Sequence, residues 1–302
     1  LVHDLIKKFR RIIDKYPGKV MIGETYLPAK ELMAYYGENG DECHFPFNFG
    51  LITEIERFRP PEIADYIEEY YRLLPSDAWP NWVFDNHDVP RIVSPLRAGP
   101  GNAGPAAVLL FTLGGTITAY YGDEIAMQDA DIPPDRVQDP KALREPDRVR
   151  TRDSARTPMQ WDSEPYAGFS TVEPWLPVSP DYRKVNVDAC EQDPHSFLHL
   201  FRKLAALRRK EADCISKEFQ LIAADEDVLA YRKGALTVVL NFSGHRQELD
   251  CSLQINEMRI LFSSAVSRGS SGDAVSAPLT LEPHEGLILK RPGTATKGDG
   301  GL

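Results

Sequence analysis

Apolar residues fall at positions 1, 2, 5, 6, 9, 12, 13 and 16 of the opening stretch LVHDLIKKFRRIIDKY. That is the spacing of an amphipathic helix with one apolar face, and Pro17-Gly18 ends it. Residues 19–22 form a short β-branched run that suits a strand buried on both faces, followed by Gly23-Glu24-Thr25. A second strand is expected at 43–49, weakened by Pro46. A third, 81–84, ends in Asp85-Asn86-His87-Asp88; a fourth, 116–121, ends in Gly122-Asp123-Glu124. Helical patterns lie between them, at 61–74 after Pro60-Pro61 and in the continuously apolar stretch 103–113.

Strand and helix alternate through the first 125 residues, and polar groups collect just after each strand. Such alternation implies parallel strands with crossover helices. Four such units make half of a (β/α)8 barrel, where catalytic groups sit at the carboxyl ends of the strands. Residues 129–194 break the alternation with a long Pro- and charge-rich stretch whose Trp161 and Trp175 favour an ordered, packed excursion. Residues 196–209 are helical again, apolar at 197, 198, 200, 201, 204 and 207. Beyond Cys214, short strand-like segments separated by turn residues predict an antiparallel β domain. The expected α/β chain is the carboxy-terminal half of a TIM barrel over 1–214, an antiparallel β-sandwich over 215–292, and a frayed Gly/Thr-rich tail over 293–302. A domain rarely opens on a well-formed amphipathic helix without a lead-in, so an amino-terminally truncated chain is expected.

Composition narrows the function classes. The 302 residues are 42% hydrophobic and 26% charged, enough to bury a sizeable core. Asp and Glu (45) outnumber Lys and Arg (35), a net charge of −10, which argues against a nucleic-acid partner. No run approaches the ~20 apolar residues of a membrane helix. Cys43, Cys190, Cys214 and Cys251 are scattered, with neither zinc-ligand spacing nor a disulfide framework. Sparse cysteine favours a cytoplasmic location, and no metal or cofactor is signalled. Asn241-Phe242-Ser243 fits a glycosylation sequon but falls in an expected strand.

Glu24 and Asp88 carry the candidate chemistry. Alone, Glu24 reads as a surface ion-pairing residue and Asp88 as a turn cap. Together they are strand-end carboxylates two units apart, able to face one another across a barrel mouth. Cleavage of a glycosidic bond needs such a pair: one carboxyl hands a proton to the leaving oxygen, while another stabilises positive charge on the sugar ring. His87 fits as a donor to a sugar hydroxyl. The segment Arg152-Asp-Ser-Ala-Arg156-Thr-Pro-Met-Gln-Trp-Asp162 combines charge with residues that must pack, and an arginine held there offers its fork to a carboxylate or to vicinal hydroxyls. Tyr26, Phe45, Phe47, Phe84 and Tyr121 are candidates to stack on sugar faces.

Ile22-Gly23-Glu24-Thr25, Phe84 to Arg91 (FDNHDVPR), Tyr120 to Ile125 (YYGDEI) and Arg152 to Asp162 followed by Ala167-Gly168-Phe169 resemble the α-amylase superfamily, glycoside hydrolase family 13. The nearest resemblance is to its oligo-1,6-glucosidase and α-glucosidase branch, and it runs from residue 1 to about 292. It implies barrel strands five to eight and a retaining, exo-acting α-glucosidase that removes terminal glucose from short oligosaccharides. Glu24 matches the general acid/base and Asp88 the transition-state-stabilising aspartate. His87 matches a sugar-binding neighbour, and Arg156 with Arg152 matches the arginine closing the pocket; Arg91 is a further substrate or carboxylate contact. The family's nucleophile belongs to a segment preceding residue 1, as do its first three strands, its inserted B domain and the calcium loop of some members. The chain is therefore expected to hold half an active site, inactive alone, with no nucleophile and no metal ligand assigned. Two other readings share these residues: a transglycosylating sugar isomerase or trehalose synthase relative, and the non-enzymatic heavy-chain ectodomain of an amino-acid transporter.

Overall fold

The structure is a computed structural model. It describes residues 1–55, 57–145, 150–249, 255, 258–268 and 271–291; Cys251 and the expected tail at 293–302 lie outside the described residues.

Two short strands anchor the barrel half. β1 (Asn81–Val83) and β2 (Thr116–Thr118) pair in parallel, with Trp82 opposite Ile117. On the other side of β1, Asn48 bridges Trp82 in parallel and its N–H donates to the Asn81 carbonyl at 2.9 Å. The same segment reaches back to 19–25: the His44 N–H donates to the Met21 carbonyl at 2.9 Å and the Phe47 N–H to the Gly23 carbonyl at 2.8 Å. The lateral order 19–25, 43–48, β1, β2 is sequential, as alternating parallel units require.

The first two segments differ from expectation. They are extended but too sparsely bonded to form ladders, because Pro46 has no N–H and the Met21 N–H is taken by the His44 ring at 2.9 Å. Nor is 19–22 buried on both faces. Val20 and Ile22 are half-exposed, and among the described residues no backbone hydrogen bond reaches the other edge of this segment.

The helix Val2–Ile13 forms where the periodicity places it, yet none of its residues is buried. Its apolar side faces outward, with Phe9 56% exposed. Its polar side grips the body: His3 Nδ1 lies 2.7 Å from the buried Glu42 carboxylate, Lys7 pairs with Asp41 at 3.2 Å, and Arg10 donates to the carbonyls of Gly40 and Glu42 at 2.8 and 2.9 Å.

Two further helices build the core. Pro60–Leu73 buries Ile63, Ala64, Tyr66, Ile67 and Tyr70 at i, i+3, i+4 spacing, and Tyr70 packs on Trp82 with ring centroids 4.8 Å apart. In Ala103–Thr112 every residue but Gly104 is buried, which explains why its sequence is apolar all round.

The remaining strands are β3 (Gln220–Ala224), β4 (Val228–Lys233), β5 (Leu236–Asn241), β6 (Gln247–Leu249), β7 (Arg259–Ser263), β8 (Leu279–Leu281) and β9 (Gly286–Lys290). They form an antiparallel five-stranded sheet in the order β3-β4-β5-β9-β7 and a separate β6-β8 pair. The period-2 alternation splits the large sheet's side chains between two cores. Leu229, Tyr231, Val238, Leu240 and Ile288 join the barrel-side core, whereas Val228, Ala230, Val239, Leu287 and Leu289 pack with Leu279 and Leu281 of β8. Asn241 is fully buried and its Nδ2 donates to the carbonyls of His245 and Glu282 at 2.7 and 2.8 Å, so the sequon asparagine is a structural tie.

The helix Phe197–Lys210 fastens the two parts. Buried Arg208 donates from NH1 to the carbonyls of Phe111 (2.7 Å), Leu113 (2.7 Å) and Cys214 (2.9 Å), and from NH2 to that of Gly115. Nearby, the Thr112 hydroxyl meets the Tyr231 hydroxyl at 2.5 Å. At Gly286 a Cβ would lie 2.7 Å from Val108, so the start of β9 can press against the apolar helix only without a side chain.

Arg208→Ala leaves several buried carbonyls unpaired and is expected to destabilise the fold by about 3 kcal/mol, read as a lowered urea midpoint. Arg208→Lys does not restore it, since one ammonium cannot span the same fork of acceptors.

Candidate active site

The loop after β1 carries the first candidates. Phe84 and Asp85 continue the strand into the core, both nearly fully buried, so Phe84 is a core residue and offers no face to a sugar. An Asp85 oxygen accepts the Ile92 N–H at 2.6 Å, closing the loop at its base. Asn86 shapes the top: its Oδ1 accepts the Asp88 N–H at 2.8 Å, an Asx turn, and its Nδ2 donates to the Tyr26 hydroxyl at 2.8 Å. This turn lifts the Asp88 carboxylate to the surface, 27% exposed.

Asp88 Oδ1 receives two guanidinium groups, NH1 of Arg152 at 2.9 Å and NH2 of Arg156 at 2.8 Å. His87 Nε2 lies 3.6 Å from the same oxygen, and Arg156 Nε donates to the His87 carbonyl at 2.7 Å. His87, Asp88, Arg152 and Arg156 therefore form one cluster. Its hidden member is Asp139. This side chain has no exposure and accepts from Arg152 three times: from Nε at 2.9 Å, NH2 at 2.7 Å and the backbone N–H at 3.0 Å. These bonds hold its carboxyl well below the usual carboxylate range. The neighbouring Asp153 fixes the arrangement by accepting the N–H groups of Gln138 and Asp139 at 2.7 and 2.9 Å.

Glu24 follows the 19–23 segment, is exposed, and makes no hydrogen bond or ion pair among the described residues. Tyr26 links it to the cluster. The Tyr26 ring stacks on Phe49 (centroids 4.3 Å apart, planes 11° apart) while its hydroxyl accepts from Asn86. Burial pushes the Tyr26 phenol up, and the charges of Asp88 and Glu24 push it further. One phenol thus feels both carboxylates. Its ring already has an aromatic partner, so Tyr26 acts as a bridge between the two loops.

Arg91 is corrected. It is fully buried, its guanidinium lies against the rings of Tyr120 (4.8 Å) and Tyr121 (4.6 Å), and it donates to the carbonyls of Tyr121 (2.5 Å) and Ala155 (3.1 Å). It braces the chain beneath Arg156 and reaches no substrate. Close by, Asp85 and Asp123 are buried together, and desolvation pushes both carboxyls up.

Missed in the sequence were Asp139, Asn86 and the bridging use of Tyr26. Asp139-Pro140 does carry a helix-start signal, and Asp139 caps the helix Pro140–Arg144 by accepting the Lys141 N–H at 3.0 Å. Nothing in that signal points to Arg152.

The family model described as alpha amylase, catalytic domain, matches residues 1–218. The chain belongs to the α-amylase family. Within that family it is 33% identical over 311 residues to Maltase 1 of Drosophila virilis, covering 95% of this chain and 49% of that protein. It is also 31% identical over 309 residues to an amino acid transporter heavy chain of Rattus norvegicus, covering 96% and 43%. The solved isomaltulose synthase from Klebsiella sp. LX3 shares the fold with a TM-score of 0.84 at 21% identity, over 96% of this chain and 58% of that one. The family's fold, a TIM barrel with a carboxy-terminal antiparallel sheet, accounts for both parts described here. The chain spans about half the length of the curated relatives it matches.

The Asp139–Arg152 pair makes a pH prediction. The folded Asp139 carboxyl titrates below the ordinary value of about 4, so on the acid side the unfolded chain takes up the extra proton. Its stabilising contribution is complete above about pH 5, a unit above the unfolded value, and is lost as pH falls toward the folded value. The urea midpoint of the natural protein is expected to drop more steeply from about pH 5 to about pH 3 than that of Asp139→Asn.

Proposed function

We propose that the protein acts as a retaining, exo-acting α-glucosidase on short oligosaccharides, with Glu24 as acid and then base and Asp88 stabilising the developing oxocarbenium charge. The observation that carries this reading is the pairing of unlike carboxylates around Tyr26. Asp88 is fixed by Arg152 and Arg156, as suits a group that must point at one atom of a sugar ring. Glu24 is unencumbered among the described residues, as suits a group that must deliver a proton to the leaving oxygen and then take one from water. The attack on the anomeric carbon requires a further carboxylate, and no residue of this chain is assigned to it.

Arg156 and Arg152, held beside Asp88, are able to close a pocket around a terminal glucosyl unit, which supports exo action over cleavage within a long chain. His87 supplies a donor beside Asp88. Arg91, being buried, has no part in this scheme.

In the full-length protein, Glu24→Gln is expected to lower kcat/KM at least ~100-fold without moving the melting temperature, because the side chain makes no hydrogen bond or ion pair among the described residues. Asp88→Asn lowers both, since it also unpairs two guanidinium groups. Near-normal turnover in Glu24→Gln defeats the assignment. Products separate the enzymatic readings: free glucose from maltose or isomaltose marks a hydrolase, and an isomeric disaccharide from sucrose or maltose marks an isomerase.

A further inference from the structure

At the base of the 85–92 loop lie two acids that the chemistry above leaves unused. Asp85 follows the end of β1 and is 2% exposed; Asp123 sits in the turn after β2. The parallel pairing of β1 and β2 brings these two chain segments side by side, and the carboxyl groups of Asp85 and Asp123 come into hydrogen-bonding contact. A carboxylate only accepts, so contact between two of them is attractive only with a proton between.

The donors around the pair are already assigned. Asp85 Oδ2 accepts the Ile92 N–H at 2.6 Å, and Asp123 Oδ2 accepts the Tyr120 N–H at 2.8 Å. Asp85 Oδ1 is buried and meets no N–H or O–H donor among the described residues. Arg91 acts on both acids by charge and Arg97 on Asp85, but their N–H groups go to carbonyls. Arg91 donates to those of Tyr121 and Ala155, and Arg97 to those of Leu51 (2.8 Å) and Phe84 (3.4 Å). Asp129, a third acid of this region, accepts the Arg91 backbone N–H at 3.0 Å and pairs with Arg150 at 3.4 Å. The partner left for the bare oxygen of Asp85 is a hydrogen carried by Asp123. Burial and the Asp85 charge push the Asp123 carboxyl well above the usual carboxylate range, while the Ile92 N–H, Arg91 and Arg97 offset part of the cost of burying Asp85.

We propose that Asp85 and Asp123 share a single proton, and that this proton bridge is a positioning device that ties the Asp88 turn to the turn after β2. Asp85 opens the 85–92 loop and closes it through Ile92, so whatever moves Asp85 moves Asp88. Without the proton, two buried charges in contact repel each other with little water to screen them. The Asp88 turn is then pushed away from the 120–125 turn, and its carboxylate shifts against Arg152 and Arg156, which are held on a separate stretch of chain. The bearing of the bridge on turnover rests on the glucosidase reading above; the bridge itself does not.

The test uses the full-length protein and Asp123→Asn, whose amide supplies the same hydrogen bond without a titratable proton. Infrared spectra at neutral pH are expected to show the C=O stretch of a protonated carboxyl in the natural protein and to lose it in Asp123→Asn. The unfolded Asp123 sheds its proton near the ordinary value of about 4, whereas the folded one retains it. Stability therefore falls as pH rises above about 4, until the folded pair titrates. The melting temperature of the natural protein is expected to decline over that window relative to Asp123→Asn. Turnover reads the positioning. Asp123→Ala leaves Asp85 Oδ1 bare and is expected to lower kcat at least ~10-fold with KM little changed, and Asp123→Asn restores most of it. A spectrum with no carboxyl band lost in Asp123→Asn, or melting curves with the same pH dependence, overturns the bridge. A kcat that is unchanged in Asp123→Ala, or equally depressed in both variants, overturns the positioning. A natural protein that turns over no glucoside defeats the glucosidase reading by itself, and the band and the melting slope still decide the bridge.

Discussion

One carboxylate oxygen organises the upper surface of this molecule. Asp88 Oδ1 accepts from Arg152 and Arg156 together, and two guanidinium groups that close repel each other unless their charge is balanced. Asp139 supplies the balance by accepting three N–H groups of Arg152. The four side chains sum to zero charge, which lets Asp139 be fully buried and the other three mostly so without a large desolvation penalty. The arrangement also dictates chain path. Arg152 and Arg156 lie more than sixty positions from Asp88, so the long excursion after β2 must return over the end of β1. Arg91 makes that return possible by filling the space beneath with a buried cation bonded to the carbonyls of Tyr121 and Ala155.

The lower part of the molecule is governed by burial on two faces. The five-stranded sheet has no solvent-facing side over its central strands: one face meets the barrel helices and the other meets β8 and its neighbours. Its central strands are consequently apolar at consecutive positions, as in Leu236-Thr-Val-Val-Leu, although the sheet is antiparallel. The helix Ala103–Thr112 lies where the two parts meet and is apolar all round for the same reason. Arg208 closes the junction by satisfying carbonyls that the end of this helix and the start of β2 leave unpaired. The sheet and the barrel half share one core, and this part of the fold is stabilised as a unit.

Much of this was legible in the residues, for identifiable reasons. Helices announced themselves by spacing and strands by short apolar runs. The placement of His87 and Asp88 just past the end of β1 was readable because parallel α/β units leave their polar groups at one edge. Three things were not. Periodicity located the apolar stripe of the first helix but could not say which side meets the body; His3, Lys7 and Arg10 make the contacts and Phe9 does not. The arginine of the FDNHDVPR segment looked like a substrate contact, yet the two tyrosines of YYGDEI enclose it, a pairing across thirty positions that no local pattern encodes. Asp139 displayed only its capping role, because a counter-ion is defined by where its partner arrives in space.

Arg156 joins the charged and the apolar halves of the surface, and its hydrogen-bond inventory constrains what either half can do. Nε is committed to the His87 carbonyl and NH2 to Asp88, which leaves NH1 without a partner among the described residues. A guanidinium held at two of its three nitrogens has lost most of its rotational freedom, so the remaining N–H groups point in a fixed direction at little further entropic cost. The same side chain also lines the cleft of Met159, Trp161, Phe169 and Trp175. A lysine here would hold only one of the two contacts, at Asp88 or at the His87 carbonyl, whereas the planar fork holds both.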